Sequence, residues 1–446
     1  MRNLILRKFD DRVAVITVVG LGYVGLPTAA LFADAGFEVI GVDINPKVIE
    51  VVSLGSSHIK EPGLEELVRK NVNDRRMHLT TNLLQATIDA DVVILCVQTP
   101  LSKNKKPSLV YLKDACKTLA HGLSEGKLVV IESTVPPGTT KNHIAPMIER
   151  ISGLRCGKDF WLAYCPERLT PGKALKEFVE NSRIIGGYNS ESGEIAFHLF
   201  KTLVKGELLL TDSTTAEVAK LAENTFRDVN IAFANELALI CKHIGVDVMK
   251  VISLANTHPR VNIHNPSCGV GGPCLPKDPF LLLYSVEKNK FKSKIILPSR
   301  RLNTEMPLYT IKLIIKALKK NHKCIKNSKI AILGVSYKGN VDDSRNSPAQ
   351  KIIQILMRLG AHVSVYDPFC NESFGAERVR SIEAACTDAD CLVITTDHDQ
   401  FKRLNLSNIR MLMKEKPIIV DGKRLLDANA VQRENFEYLG VGYGLN

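Results

Sequence analysis

The chain has 446 residues, too many for one hydrophobic core of ordinary size, so two or three domains are expected. Hydrophobic residues make up 45% and charged residues 24%, the balance of a globular protein, which excludes a disordered or fibrous chain. The net charge of +12 would suit nucleic acid, a membrane surface or an anionic small substrate. Basic residues are spread along the chain with only short clusters such as Lys103, Lys105 and Lys106, without zinc-finger or RNA-binding signatures, so nucleic acid is not an expected partner.

An apolar, largely β-branched run at 13–19 leads into glycine-rich sequence, then helical spacing at 29–35 and a second strand at 38–42, which together read as a βαβ unit. The uncharged stretch 13–33 is about as long as a membrane span. Three glycines and a proline interrupt it, and Asp10 and Asp11 precede it where a signal peptide is basic, so no membrane insertion is expected. The 11 cysteines form no C-x-x-C pair and show no metal-ligand spacing, which fits reduced thiols in a cytoplasm and argues against a structural metal. Strand runs at 91–97 and 128–132 end in Thr99-Pro100 and Val135-Pro136-Pro137-Gly138, loops of the kind found at the ligand-binding carboxyl edge of a parallel sheet.

No Gly or Pro occurs from 214 to 244, which predicts one long helix with Ser213 or Thr214 near its N-cap and Gly245 past its end. A helix of this length bridges domains or forms a subunit interface. After a polar, basic stretch at 319–327 a second α/β pattern starts: strand 329–333, helix 348–359, then strands at 362–366, 391–395 and 418–420. The expected fold is α/β, with two doubly wound Rossmann-like domains joined by a long central helix and a helical dimerisation region. The expected divisions are 1–205, 206–320 and 321–446.

Gly20-Leu21-Gly22-Tyr23-Val24-Gly25 follows the first strand and opens a helix, the context in which this spacing binds a dinucleotide. Gly20 makes the tight turn, Gly22 admits the pyrophosphate, and Gly25 lets helix pack on strand while the helix N-terminus supplies partial positive charge. Asp43 lies 23 residues beyond Gly20, at the end of the second strand, where a carboxylate accepts from the ribose hydroxyls and repels a 2′-phosphate. NAD is therefore the expected cofactor, with Gly20, Gly22, Tyr23, Val24, Gly25, Asp43 and Thr99 lining its site.

Gly269-Val270-Gly271-Gly272-Pro273-Cys274-Leu275-Pro276-Lys277-Asp278 places a cysteine after small residues and four positions before a carboxylate. Such a turn can expose a thiol at a helix start, where the dipole and a lysine favour thiolate, although a buried structural cysteine fits the segment too. A thiolate beside a dinucleotide site permits four-electron chemistry. Adding to an aldehyde as a thiohemiacetal, it gives a second hydride a way to leave, and the resulting thioester is hydrolysed.

With Ser133-Thr134-Val135-Pro136, Cys165-Pro166-Glu167-Arg168, Lys220-Leu221-Ala222-Glu223-Asn224, Val335-Ser336-Tyr337-Lys338-Gly339-Asn340 and Asp342-Asp343-Ser344-Arg345 in register, nearly the whole chain resembles the UDP-glucose/UDP-N-acetylmannosamine dehydrogenase family. The resemblance implies oxidation of the C6 alcohol of a UDP-sugar to a carboxylate. By it, Cys274 is the nucleophile and Asp278 positions or activates water. Lys220 and Asn224 steady the oxyanion, Glu167 is the base for thioester hydrolysis, and Thr134 orients a water and meets the cofactor. It further implies that Glu167, Arg168, Lys220, Asn224 and Gly271 line the sugar site, that Lys338 and Arg424 anchor the UDP moiety, and that Arg345 faces the cofactor cleft. Arg260 would reach a neighbouring subunit's site, so a homodimer or higher oligomer is expected. Segments 164–173 and 226–230 resemble the N-acetylhexosamine branch, which puts UDP-N-acetylmannosamine first, ahead of UDP-N-acetylglucosamine and UDP-glucose. The Cys274 loop departs from that branch by keeping Lys277 and lacking a histidine before the cysteine. From the residues alone, a two-electron hydroxyacid-type dehydrogenase and a non-catalytic NAD-binding protein are the alternatives.

Overall fold

The computed structural model describes residues 1–287 and 291–444. The chain divides into two compact units, Met1–Glu223 with Phe280–Phe291, and Asn224–Pro279 with Lys292–Asn446.

Among the described residues, the first unit holds an eight-stranded sheet: β1 (Val15–Val19), β2 (Glu38–Val42), β3 (Met77–Thr80), β4 (Val92–Leu95), β5 (Leu128–Ile131), β6 (Trp161–Tyr164), β7 (Arg183–Gly187) and β8 (Leu208–Asp212). The order is β3-β2-β1-β4-β5-β6-β7-β8, with every pairing parallel except β6 with β7. Successive strands are added to one side of β1 up to β3 and to its other side from β4 on, so a crevice opens at the carboxyl ends of β1 and β4, where the winding order switches. Strands β4, β5 and β6 are wholly buried, covered on both faces, which is why each reads as an unbroken apolar run. The uncharged stretch resolves into β1, a glycine turn and the helix Gly25–Asp34, nine of whose ten residues are buried. It is the core of this unit, and among the described residues no helix is long and apolar enough to cross a membrane. The polar start folds as well: Arg2–Asp10 is a helix that buries Ile5 and Phe9, four apart on one face.

The second unit holds β9 (Lys329–Leu333), β10 (His362–Tyr366), β11 (Glu377–Arg378), β12 (Cys391–Ile394), β13 (Ile418–Asp421) and β14 (Glu437–Gly440). Their order is β11-β10-β9-β12-β13-β14 with all pairings parallel, so a second switch point lies between β9 and β12. The helix Pro348–Arg358 starts on a Ser347 cap with proline in its first turn, which requires no N–H there. A long helix, Ile296–Lys320, runs through Pro307. The glycine-free segment forms the single helix Ser213–Ile244.

Candidate active site

The first switch point carries the fingerprint. Gly20 has φ 89°, a left-handed turn that excludes most side chains, and a Cβ on Gly25 would lie 1.8 Å from the Gly20 carbonyl oxygen. A Cβ on Gly22 would meet nothing within 4 Å, so its backbone faces open space of the kind a pyrophosphate fills. Asp43 is half-buried and already accepts from the Leu21 N–H at 2.9 Å and the Asn45 N–H at 2.9 Å, fixing the carboxylate beside the loop with lone pairs to spare. Tyr23 and Val24 are half-buried at the start of the helix. These residues fit a dinucleotide.

Thr99 and Thr134 come together at the ends of β4 and β5, where the Thr99 hydroxyl donates to the Thr134 carbonyl at 2.6 Å and Ser133 donates to the Val97 carbonyl at 2.7 Å. Further along the same sheet edge, Glu167 and Lys220 form a buried pair. Lys220 Nζ lies 3.0 Å from Glu167 Oε1 and donates to the Glu167 carbonyl at 2.6 Å, while Glu167 Oε2 accepts from the Leu169 N–H at 2.7 Å. Burial alone would raise the Glu167 pKa, but the Lys220 ammonium and the Leu169 amide outweigh it and hold the carboxyl below its ordinary value. Arg168 donates to the Ser182 carbonyl at 2.9 Å and pairs with Glu223, so the residues after Glu167 are tied to the long helix's first turns.

Two buried groups of this unit escape sequence reasoning. Glu132 accepts from Arg183 at 2.5 Å, from Thr28 at 3.3 Å and from Cys96 at 3.2 Å, while Arg183 lies 4.2 Å over the Phe178 ring and 4.5 Å over the Phe200 ring. Glu217, wholly buried on the long helix, accepts from the Gly138 and Thr140 amides. Glu132 stands at the end of an apolar run, a charge where the strand pattern calls for burial, whereas Glu217 stands among Thr214, Thr215 and Ala216 with no such signal.

In the second unit, Cys274 is half-buried, and its carbonyl accepts from the N–H groups of Lys277 at 2.9 Å and Asp278 at 2.8 Å, turning the chain into the helix Asp278–Glu287. Asp278 is wholly buried with Asn224 Nδ2 at 2.6 Å and Lys277 Nζ at 3.8 Å. The glycines before Cys274 have no room for side chains. A Cβ on Gly271 would lie 2.8 Å from the Tyr337 Cβ, and one on Gly272 would lie 2.8 Å from the Tyr337 ring. Gly272 donates to the Arg345 carbonyl at 2.9 Å, and Asn346 donates to the Gly272 carbonyl at 3.1 Å. Burial pushes up the thiols of Cys116, Cys165 and Cys391, making them poor nucleophiles.

Lys338 is half-buried in the loop after β9. Arg345 is 48% exposed and forks onto Asp343 through Nε and Nη2. Arg260 is exposed on the segment ahead of the Cys274 loop. Arg424 is buried: its side chain is 4% exposed, pairs with Asp247 at 2.9 Å, donates to the Val441 carbonyl at 3.2 Å and lies 5.3 Å from the centre of the Tyr443 ring.

A doubly wound sheet with a glycine fingerprint and an acid at the end of its second strand, followed by a second doubly wound unit, is the arrangement of an NAD-dependent dehydrogenase acting on a nucleotide-linked substrate. The chain belongs to the UDP-glucose/GDP-mannose dehydrogenase family: its NAD binding domain matches residues 14–204, its central domain 214–305 and its UDP binding domain 331–428. A relative from Pyrococcus horikoshii, UDP-N-acetyl-D-mannosamine dehydrogenase, is 44% identical over 429 residues, covering 96% of this chain and 99% of that protein. The solved structure of UDP-D-ManNAc dehydrogenase from Pyrococcus horikoshii superposes with a TM-score of 0.91 at 44% identity, covering 97% of this chain and all of that one. A UDP-glucose dehydrogenase from Pyrobaculum islandicum superposes with a TM-score of 0.87 at 29% identity, covering 97% of this chain and 98% of that chain.

Proposed function

We propose that this enzyme oxidises the C6 alcohol of UDP-N-acetyl-D-mannosamine to the carboxylate, taking four electrons through a covalent intermediate on Cys274. The observation that carries the four-electron reading is Cys274 itself, half-buried on a glycine turn and followed at the next helix start by an Asp278 carboxylate bonded to Asn224. The choice of sugar is supported by 44% identity over nearly the full length to a dehydrogenase of that substrate, against 29% for the UDP-glucose enzyme.

The fingerprint loop and Asp43 would hold NAD, which would supply the hydride acceptor. The rest is the work of this chain's side chains. Lys220 and Asn224, one turn apart on a single helix, hold the C6 oxygen while the hydroxyl gives its proton to the water beside Asp278 and C6 loses its first hydride, which forms the aldehyde. Cys274 adds as thiolate to the aldehyde, forming a C–S bond and a thiohemiacetal whose oxyanion the same donors hold. Loss of the second hydride leaves a thioester. Water oriented by Thr134 and Asp278 then adds to the carbonyl, giving a proton to Glu167 and breaking the C–S bond. The pairing of Lys220 with Glu167 gives this sequence an order. While the ammonium is drawn to the carboxylate, the carboxylate is a weak base, and once the ammonium turns to the oxyanion, its basicity rises. Gly271 and Arg168 line the sugar, and Lys338 meets the diphosphate. Arg424 completes the anchor of the UDP moiety, and Arg345 faces the cofactor cleft.

We further infer a homodimer built on the long helix, which brings Arg260 to the partner's site. The enzyme belongs in the cytoplasm, in keeping with 11 free cysteines.

The test is stoichiometry. UDP-N-acetylmannosamine should give two NADH per uronate and turn over faster than UDP-N-acetylglucosamine or UDP-glucose. Cys274→Ser should bind NAD normally and make no uronate. One NADH per sugar, or uronate formed by that variant, would defeat the assignment.

A further inference from the structure

The second unit contains a buried polar cluster that the chemistry above leaves unused. Ser336, Asp367 and His398 follow β9, β10 and β12, so the sheet order brings them to the carboxyl edge at the switch point. His398 and Ser336 are wholly buried and Asp367 is 5% exposed. Asp367 Oδ2 accepts from the N–H groups of Val335 at 2.7 Å and Ser336 at 3.0 Å, and lies 3.0 Å from His398 Nε2. Its Oδ1 accepts from the N–H groups of Phe369 at 2.9 Å and Cys370 at 2.8 Å. On the far side of the ring, the Asn340 N–H donates to His398 Nδ1 at 2.9 Å.

These two neighbours select one form of the imidazole. A backbone N–H only donates, so Nδ1 carries no proton, and an ionised carboxylate only accepts, so Nε2 carries one. Asp367 is ionised: burial would raise its pKa, but the hydrogen bonds that its two oxygens accept from His398 and four backbone amides hold it below its ordinary value. Phe369 stacks on the ring at 5.1 Å and Phe401 meets it edge-on at 5.1 Å, which removes its freedom to flip. The trio resembles a hydrolytic triad only in composition. Ser336 Oγ, at 3.1 Å, and Asp367 both face Nε2, so no proton can cross the ring from serine to aspartate.

The cluster instead holds the loop 335–340. Ser336 Oγ lies 3.0 Å from the Lys338 carbonyl, Thr396 donates to the Ser336 carbonyl at 2.6 Å, and the Gly339 N–H donates to Asp397 at 3.1 Å. Gly339 packs so closely that a Cβ would lie 2.3 Å from the Asp397 carbonyl oxygen. Lys338 lies in the middle of this stitched loop, and its neighbour Tyr337 packs on the glycines that precede Cys274.

We propose that His398 is a positioning residue for the nucleotide sugar: its neutral imidazole, fixed between Asp367 and the Asn340 N–H, clamps the loop so that Lys338 meets the diphosphate and Tyr337 braces the Cys274 turn. The proposal rests on the reading of Lys338 as the diphosphate anchor. Binding of UDP and of NAD is to be measured by calorimetry for His398→Gln, His398→Asn and Lys338→Ala, together with the KM for the UDP-sugar. Gln keeps a donor toward Asp367 but leaves the Asn340 N–H without an acceptor, so the UDP Kd and the sugar KM should rise roughly tenfold. Asn puts an oxygen near the place of Nδ1, and the rise should be about threefold. The NAD Kd should stay unchanged in both. Histidine ring nitrogen spectra of the wild type, assigned by difference against His398→Asn, should show the neutral Nε2–H form at neutral pH. Wild-type UDP binding by both His398 variants alongside weakened binding by Lys338→Ala would overturn the clamp alone. Unchanged UDP binding by Lys338→Ala would overturn the anchor and the clamp together. A doubly protonated or Nδ1–H ring, or equal losses of UDP and NAD affinity, would also overturn the clamp.

Discussion

Glu217 shows how far a single residue can be moved from its ordinary chemistry by its surroundings. Its carboxylate accepts from the Gly138 N–H at 2.5 Å, the Thr140 N–H at 2.8 Å and the Thr140 hydroxyl at 2.6 Å, tying the long helix to the turn that follows Thr134. Three donors favour the anion, yet burial prevails and pushes the group from 4.5 up to about 7. A carboxyl raised in the folded state binds its proton more tightly there than in the unfolded chain. Its contribution to stability is therefore full below the ordinary value and is lost as pH rises through about 7. The stability lead of the wild type over Glu217→Gln should shrink by on the order of 2–3 kcal/mol between pH 5 and pH 8 in urea unfolding. A lead that grows with pH would reverse the sign and sink the argument. Which residue types sit at the site was legible in the sequence; their partners were not. Cys274, Asp278, Lys220 and Glu167 stand in short motifs, but the bond from Lys220 to Glu167 spans 53 positions and that from Glu217 to Thr140 spans 77. The burial of Arg424 was not legible for the same reason, since its partner Asp247 lies 177 residues away.

At the scale of elements, the fingerprint turn separates what glycine does for the fold from what it does for the ligand. Gly25→Ala would force a methyl to 1.8 Å from the Gly20 carbonyl, so helix and strand must part, at a cost of about 2–3 kcal/mol or more. Gly22→Ala meets no protein atom, so thermal stability should stay within about 0.5–1 kcal/mol of wild type while NAD affinity falls tenfold or more, because the methyl occupies the pyrophosphate's place. Melting curves with and without NAD distinguish the two. A Gly22→Ala variant that binds NAD normally would remove the pyrophosphate from that spot. The strands legible in sequence were those with apolar, largely β-branched runs, β1, β2, β4, β5, β9, β10, β12 and β13, whereas β6, as fully buried, carries an aromatic residue at each end, Trp161 and Tyr164, and was not read. Strand β7 hides behind Arg183, a charge that reads as surface until Glu132 and two aromatic rings are seen around it, and β8 leaves Leu209 and Leu210 exposed at a sheet edge. The helix Ile296–Lys320 was obscured by Pro307, which ordinarily ends or kinks a helix.

For the whole molecule, the long helix points to a second copy of the chain. One face is buried, including Ala216, Lys220, Asn224, Asp228, Asn235 and Ala238. Another carries Phe226 at 62% exposure, Phe233 at 51% and Ile240 at 48%, spaced seven apart. That is the interval at which two helices keep a shared seam. Ala222, Val229 and Glu236 fall between them at alternating steps of three and four, completing a heptad pattern with one acidic position. Large aromatic side chains left in water at this spacing forgo about 1.5–3 kcal/mol each, a cost that a two-fold partner relieves twice over, since the same residue contributes from both helices. The wild type should therefore sediment with twice the chain's mass of 49.3 kDa or a multiple of it. In a dimer joined along this seam, Phe233→Glu would bring a charge from each copy into the apolar contact and should yield monomer at micromolar concentration. Phe233→Leu should remain dimeric, because it keeps most of the apolar area. The monomeric variant should still bind NAD, whose fingerprint lies far along the chain from the seam, but should lose turnover if Arg260 works in the partner's site. A Phe233→Glu variant that keeps the wild-type mass would take the seam off this face of the helix, and a monomer with full activity would confine Arg260 to its own chain.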